Sequence, residues 1–292
     1  GNVDMDVYGN GVTVTGDNST VTLEKGGSIT VPKDTDYGYY ALAAYDGTIN
    51  MNATAGANTV KLDGDIFVTS EGKVNLGLAN EYSYLKGIVD NGGIANVTLK
   101  NGAVWTNEAN NKRYIQDNED VGTTDQRSHV TKLTGGKTFD DAGTIVQTAN
   151  SKPLYIDNLD GAVKINYTGQ DVTDTNPETK LNNGVTIDKA VKDSQIALFT
   201  TNAGIKTDDE DSVNAVLNAL ANKLYYNAYK DGERNLTGVA VGMDEGLTAS
   251  SVTKQANIQF IEATGQGSLS GSASDGTGIN PDTGVEDDGS GD

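Results

Sequence analysis

The sequence predicts an all-β chain wound as a right-handed parallel β-helix, a solenoid, with one external amphipathic helix near residues 208–230. Three observations carry this expectation. Short triplets recur: Val12-Thr13-Val14, Val21-Thr22-Leu23, Ile29-Thr30-Val31, Ile49-Asn50-Met51, Val60-Lys61-Leu62, Ile66-Phe67-Val68, Val74-Asn75-Leu76 and Val97-Thr98-Leu99. Each sends its outer two side chains to one side and the middle one to the other, the period-2 signature of a half-buried strand. Between them stand Gly9-Asn10-Gly11, Gly16-Asp17-Asn18, Gly26-Gly27, Asp63-Gly64 and Asn101-Gly102, residues that tolerate the positive φ of tight turns. Composition is the third observation: 36 Gly, 4 Phe, 1 Trp and 36% hydrophobic residues among 292 suit a thin interior of small and β-branched side chains. Strands this short do not persist as separate hairpins. They become stable when coils stack and share one continuous core.

Residues 1–105 form the first block of coils. The alternation breaks at Tyr37-Gly38-Tyr39-Tyr40-Ala41-Leu42-Ala43-Ala44-Tyr45 and at Tyr82-Ser83-Tyr84-Leu85. Such tyrosines either form an exposed binding ladder, since Tyr supplies rigid amphipathic contact area, or fill a wide corner of the coil. The habit of aromatic rings to serve cores favours the corner. Residues 106–130 are read as a polar insertion loop, from the runs Asn107-Glu108-Ala109-Asn110-Asn111-Lys112-Arg113 and Asp117-Asn118-Glu119-Asp120. Coils resume over 131–206, with Leu154-Tyr155-Ile156 and Val163-Lys164-Ile165 among their strands.

Residues 207–264 form a module with the helix and returning strands. Thr207-Asp208-Asp209-Glu210 fits the S/T-x-x-E capping box, and Val213, Val216, Leu217, Leu220 and Leu224 recur at helical steps. Gly232 is the expected C-cap. A helix cannot join a strand ladder, so it is expected to pack across the coil or cover an end. Strands follow at Leu236, Val239-Ala240-Val241 and Ile258-Gln259-Phe260, and residues 265–292 read as a flexible Gly/Ser/Asp linker.

The 21 basic and 41 acidic residues give a formal net charge of −20. Nucleic acid is thereby excluded as a partner, because phosphate neutralisation needs clustered Lys and Arg. The absence of Cys favours an exported protein that avoids thiol chemistry in transit. No apolar run approaches the roughly 20 residues of a membrane-spanning helix. The chain opens in mid-pattern at Gly1-Asn2-Val3 and reads as a piece of a longer protein.

The sequence singles out no catalytic group, cofactor or metal site. Asp140-Asp141 is a carboxylate pair by adjacency alone, and neighbours in a strand point to opposite faces. His129 is the sole histidine, without Cys or a Gly-x-Ser-x-Gly elbow, and reads as a surface or coil-packing residue. Asp117 to Ser128 carries Gly122 at the sixth place of an EF-hand loop, but Val121 and Ser128 stand where ligands are needed. Candidate recognition residues are the pattern breaks: Tyr37, Tyr39, Tyr82 and Tyr84, with Asn107, Glu108, Asp117 and Asp120 of the polar runs.

The passage Val97-Thr98-Leu99-Lys100-Asn101-Gly102-Ala103-Val104-Trp105, followed by Ser128, Val130, Leu133 and Gly135-Gly136, resembles part of bacterial autotransporter passengers. The likeness is to the pertactin-like and diffuse-adherence-adhesin-like group. Leu220-Ala221-Asn222-Lys223-Leu224-Tyr225-Tyr226, Gly232-Glu233-Arg234-Asn235-Leu236 and Glu245-Gly246-Leu247-Thr248-Ala249 are similar to a module of large surface autotransporters. The resemblance implies a parallel β-helix outside a Gram-negative cell, held by a C-terminal membrane β-barrel that this sequence lacks. It implies a non-enzymatic adhesin that attaches to a host protein or glycan, or to sister cells. Two other readings stay open: a β-helix enzyme acting on polysaccharide, and a structural stalk that displays a distal binding tip. Stacked carboxylates beside Arg or Lys in a groove would favour the enzyme, and a flat or ridged polar face the adhesin.

Overall fold

The computed structural model describes residues 3–33, 38–111, 115–116, 119–120, 127–201, 210–227, 235–242, 255–261 and 266–269. The first four coils each contribute three strands. They are β1 (Val3–Asp6), β2 (Val12–Val14) and β3 (Thr20–Leu23), then β4 (Gly27–Thr30), β5 (Tyr40–Ala44) and β6 (Thr48–Met51). The next two coils are β7 (Val60–Asp63), β8 (Asp65–Val68) and β9 (Lys73–Leu78), and β10 (Tyr84–Lys86), β11 (Val89–Asn91) and β12 (Ile94–Leu99).

Beyond this point the described coils carry two strands each in the parallel sheets. After β13 (Val104–Thr106), a short antiparallel pair, β14 (Ile115–Gln116) and β15 (Glu119–Asp120), precedes β16 (Ser128–Thr134). Then come β17 (Gly143–Gln147) with β18 (Leu154–Asp160), and β19 (Ala162–Tyr167) with β20 (Val185–Ala190). β21 (Ser194–Phe199), helix α1 (Glu210–Ala221) and β22 (Leu224–Tyr226) lead to β23 (Leu236–Gly242).

These strands stack as three parallel sheets, the arrangement of a parallel β-helix. The first sheet runs β1-β4-β7-β10-β13-β17-β19-β21-β23. The second runs β3-β6-β9-β12-β16-β18-β20-β22, and the third, β2-β5-β8-β11, belongs to the early coils. At the C-terminal end the order turns antiparallel: β24 (Gln255–Ile261) pairs with β23, and β25 (Gln266–Leu269) pairs with β24 and β22. These two strands close the last rung of both long sheets, which covers edges that would otherwise template foreign strands.

The eight predicted triplets fall in β2, β3, β4, β6, β7, β8, β9 and β12, with Val31 one residue past the end of β4. Their alternation builds interior columns because parallel neighbours are in register. One column reads Met5, Ile29, Leu62, Leu85, Trp105, Ile145, Ile165, Leu198 and Val241. A second reads Leu23, Met51, Leu76, Val97, Leu133, Leu159 and Ala190. From Ile29 and Met51 onward their members are all buried and, with the helix, form one apolar cluster. Trp105 fits this thin core because its indole N–H donates to the Gly87 carbonyl at 2.9 Å. A side chain on Gly87, whose φ is +158°, would overlap the Gly64 carbonyl of the coil before.

Four expectations change. Tyr40–Ala44 is not an interruption but β5, buried at every position, and Tyr84–Lys86 is β10. The helix ends at Ala221 rather than near residue 230, and Leu224 lies in β22, paired with Val185. Val213, Val216, Leu217 and Leu220 do face the core. Residues 107–111 are not a solvated loop, since Asn107, Asn110 and Asn111 are buried. The linker expected from 265 contains β25 at Gln266–Leu269. The Thr207 cap, Gly232, most of 112–126 and 270–292 lie outside the described residues.

Candidate functional site

The three strands β16, β18 and β20 share one local pattern. Ser128-His129-Val130, Leu154-Tyr155-Ile156 and Val185-Thr186-Ile187 alternate inward and outward, so His129, Tyr155 and Thr186 stand side by side on the outer face. Then the alternation slips. Two consecutive residues, Thr131-Lys132, Asp157-Asn158 and Asp188-Lys189, lie outside before Leu133, Leu159 and Ala190 turn in again. The slip puts Asp157 beside Asp188 on adjacent rungs. The end of the third sheet supplies the opposite wall with Asp90, Asn91 and Gly92, and Arg127 stands at the entry to β16. Together they line an open groove of about 380 Å³.

Several polar side chains of this groove have partners. His129 Nε2 lies 2.7 Å from Asp157 Oδ1, and its Nδ1 lies 3.2 Å from the Asn91 carbonyl. Both partners are acceptors, so each ring nitrogen faces an oxygen. The Arg127 guanidinium sits over the Tyr155 ring, 5.6 Å from its centroid, a cation–π contact. Asp188 accepts from the Asn227 amide. The outer column continues past Thr186 to Tyr225, which is 41% exposed.

His129 is therefore a surface residue, the first of the two expected alternatives, and it stands in a groove whose other members, Arg127 apart, lie far from it in sequence. Asp157 and Asp188 meet only through the rung register, which the linear sequence does not display. The detectable signal was the repeated break Val130-Thr131-Lys132-Leu133, Ile156-Asp157-Asn158-Leu159 and Ile187-Asp188-Lys189-Ala190. Asp140 and Asp141 instead belong to a 3₁₀ turn, where Asp141 accepts from the Thr138 N–H at 2.8 Å.

The predicted recognition residues do not converge on this groove. Tyr82 is 65% exposed in the turn before β10, and Tyr84 points outward with the Lys86 amine 4.9 Å from its ring centroid. Tyr39 is partly buried against the core, and its peptide exchanges two hydrogen bonds with Asn111, at 3.2 and 2.8 Å. Glu108 accepts from Thr148 and Asn150. Asn107 is fully buried: its amide donates to Gln147 Oε1 at 2.8 Å and its oxygen accepts from the Ser128 hydroxyl. Tyr37 and Asp117 lie outside the described residues, as does the side chain of Asp120 in β15.

Two further polar centres lie elsewhere. Asp65 is buried at the head of β8 and accepts from the N–H groups of Ile88, Asn110 and Asn111 and from the Asn111 amide. Burial pushes its carboxyl up to about 6, against the pull of those donors. Lys223 lines a hollow of about 290 Å³ beside α1, and its amine donates to Leu181 O and Asn183 Oδ1. Burial, aided by Lys180, lowers that amine to about 8. Among the described residues, no group of three or more His, Asp or Glu is placed to hold a metal ion.

No family model, curated protein or solved structure matches this chain.

Proposed function

We propose that this chain is a recognition solenoid of the autotransporter-passenger type: a non-enzymatic adhesin fragment. It is held at the surface of a Gram-negative cell by a C-terminal β-barrel and attaches to a host protein or glycan, or to sister cells. The observation that supports this most is the outer face of the second sheet. There Thr22, Asn50, Asn75, Asn96, Lys132, Asn158 and Lys189 stand in one column along the solenoid. Asn75 donates to Asn50 at 2.7 Å and Asn96 to Asn75 at 2.9 Å, so the row is a rigid, pre-ordered polar ridge. The interior is filled by apolar columns, so contact with a partner falls to this exterior. Many weak contacts along such a ridge add up through multivalency.

A second reading is favoured by one observation. The groove sets Asp157 and Asp188 on adjacent rungs beside Arg127, the arrangement a polysaccharide-cleaving β-helix would use. Beads coated with the chain separate the two. On the adhesin reading they attach to target cells or to one another and release no sugar fragments from cell-wall or matrix polysaccharide. New reducing ends released by the purified chain would overturn that reading in favour of the enzyme. Coated beads that neither attach nor cluster would overturn the adhesin outright.

A further inference from the structure

We infer that the groove between β11 and the slipped strands β16, β18 and β20 is a binding site for a neutral oligosaccharide. This inference rests on the outer face being a recognition surface, and it names the ligand class of that surface. The chemistry of the lining excludes other classes in turn. Three carboxylates, those of Asp90, Asp157 and Asp188, outnumber the one guanidinium of the lining, Arg127, within a chain of net charge −20. Uronates, sialylated glycans and phosphorylated ligands are therefore repelled. Apart from Tyr155 and Ile156 the lining is polar or glycine, too little apolar surface to hold a lipid or an apolar peptide.

A sugar without charge fits what remains. Each of its hydroxyls is both donor and acceptor, and the groove offers both kinds of partner at fixed positions. The carboxylates and the Asn91 carbonyl accept, and a carboxylate spans two neighbouring hydroxyls with its two oxygens. The guanidinium of Arg127 donates from a planar fork. Thr186 does either. Tyr155 supplies the flat, electron-rich face on which the C–H side of a pyranose ring packs, and the guanidinium now over that ring would turn to a hydroxyl beside it. The His129–Asp157 pair, at 2.7 Å, fixes the carboxylate before any ligand arrives, which lowers the ordering cost of binding.

The register argues for a chain of sugars over a single one. His129, Tyr155, Thr186 and Tyr225 occupy successive rungs of one outer column. Rungs lie about 4.8 Å apart, close to the length of one hexose in an extended glycan. Tyr155 and the exposed Tyr225 are thus two rungs apart and can carry two rings of one oligomer along the solenoid axis.

The test uses the full chain against an array of neutral and anionic oligosaccharides, followed by calorimetric titration of the best neutral ligand. Wild-type chain is expected to bind neutral oligomers of three or more units with weak dependence on salt. Tyr155→Ala is expected to weaken that binding about tenfold or more, and Asp188→Asn also to weaken it, both with an unchanged thermal midpoint. A basic peptide in place of the sugars, bound with steep salt dependence, would assign the groove to cationic ligands and overturn the inference. So would the absence of any neutral glycan bound, or binding indifferent to Tyr155→Ala. Bead adhesion that persists without glycan binding overturns this site alone and leaves the adhesin reading standing.

Discussion

Asn111 holds the carboxylate of Asp65 twice, through its peptide N–H and its side-chain amide, both at 3.1 Å from the same Oδ2. The contact fastens the residues after β13 onto the third sheet. Ala109 packs there with Tyr40, Ala43 and Ile88, and Asn110 adds a bond from its amide to the Pro32 carbonyl at 3.0 Å. What the sequence presents as the start of a polar insertion is therefore the outer cover of the third sheet.

Removing the clip should be costly. Asp65→Ala strands buried donors on Ile88, Asn110 and Asn111 without an acceptor, and the expected loss is about 3 kcal/mol or more. Urea unfolding followed by circular dichroism measures it. A change below about 0.5 kcal/mol would mean that water reaches these donors.

The same carboxyl predicts a pH signature. Its folded value, about 6, lies above the ordinary carboxylate value of about 3.9. Between these limits the folded chain binds the proton more tightly than the unfolded one. The stability Asp65 contributes is thus full below about pH 4 and is lost as pH rises through 6. Unfolding midpoints of wild type relative to Asp65→Asn should fall from pH 4 to pH 6 and level off above. A difference that rises over this window would place the folded value below the ordinary one.

Asn107→Ala should destabilise by about 1–3 kcal/mol, because the Ser128 hydroxyl and Gln147 Oε1 lose a buried partner. Deleting residues 107–120 should therefore lower thermal stability. A deletion variant that melts with wild type would show that these asparagines hold nothing in place.

Leu220 of α1 is fully buried in the main cluster. Leu220→Ala is expected to cost about 2–5 kcal/mol. Denaturant unfolding that moves by less than about 0.5 kcal/mol would detach the helix from the core.

The sequence revealed the strands whose two faces differ. Ile49-Asn50-Met51 and Val74-Asn75-Leu76 each put a polar residue in water and two apolar ones inside, so period and environment agree. Tyr40–Ala44 hid its strand because both faces are covered, one by the core and the other by Tyr45, Phe67 and Ala109. Leu224 continues the helical spacing of Leu217 and Leu220 by coincidence, and pairing with β20 decides its state. The groove was invisible for a different reason. Arg127, Tyr155 and Asp188 come from three coils, and only the register of parallel strands makes them neighbours. Tyr37, Tyr39, Tyr82 and Tyr84 stand at breaks in the strand pattern, and such a break marks irregular backbone rather than exposure. Of the three described ones, Tyr82, in the turn before β10, and Tyr84, on the first sheet, point outward, away from the groove.

If the groove is the glycan site inferred above, attachment to a partner passes through it and no substrate is turned over. The most direct test is bead attachment with the triple variant Arg127→Ala, Tyr155→Ala and Asp188→Ala, scored beside thermal unfolding and sugar release. Lost attachment, an unchanged unfolding midpoint, and no released fragments from wild type or variant are expected. Attachment equal to wild type, or fragments released by wild type and not by the variant, would contradict that expectation.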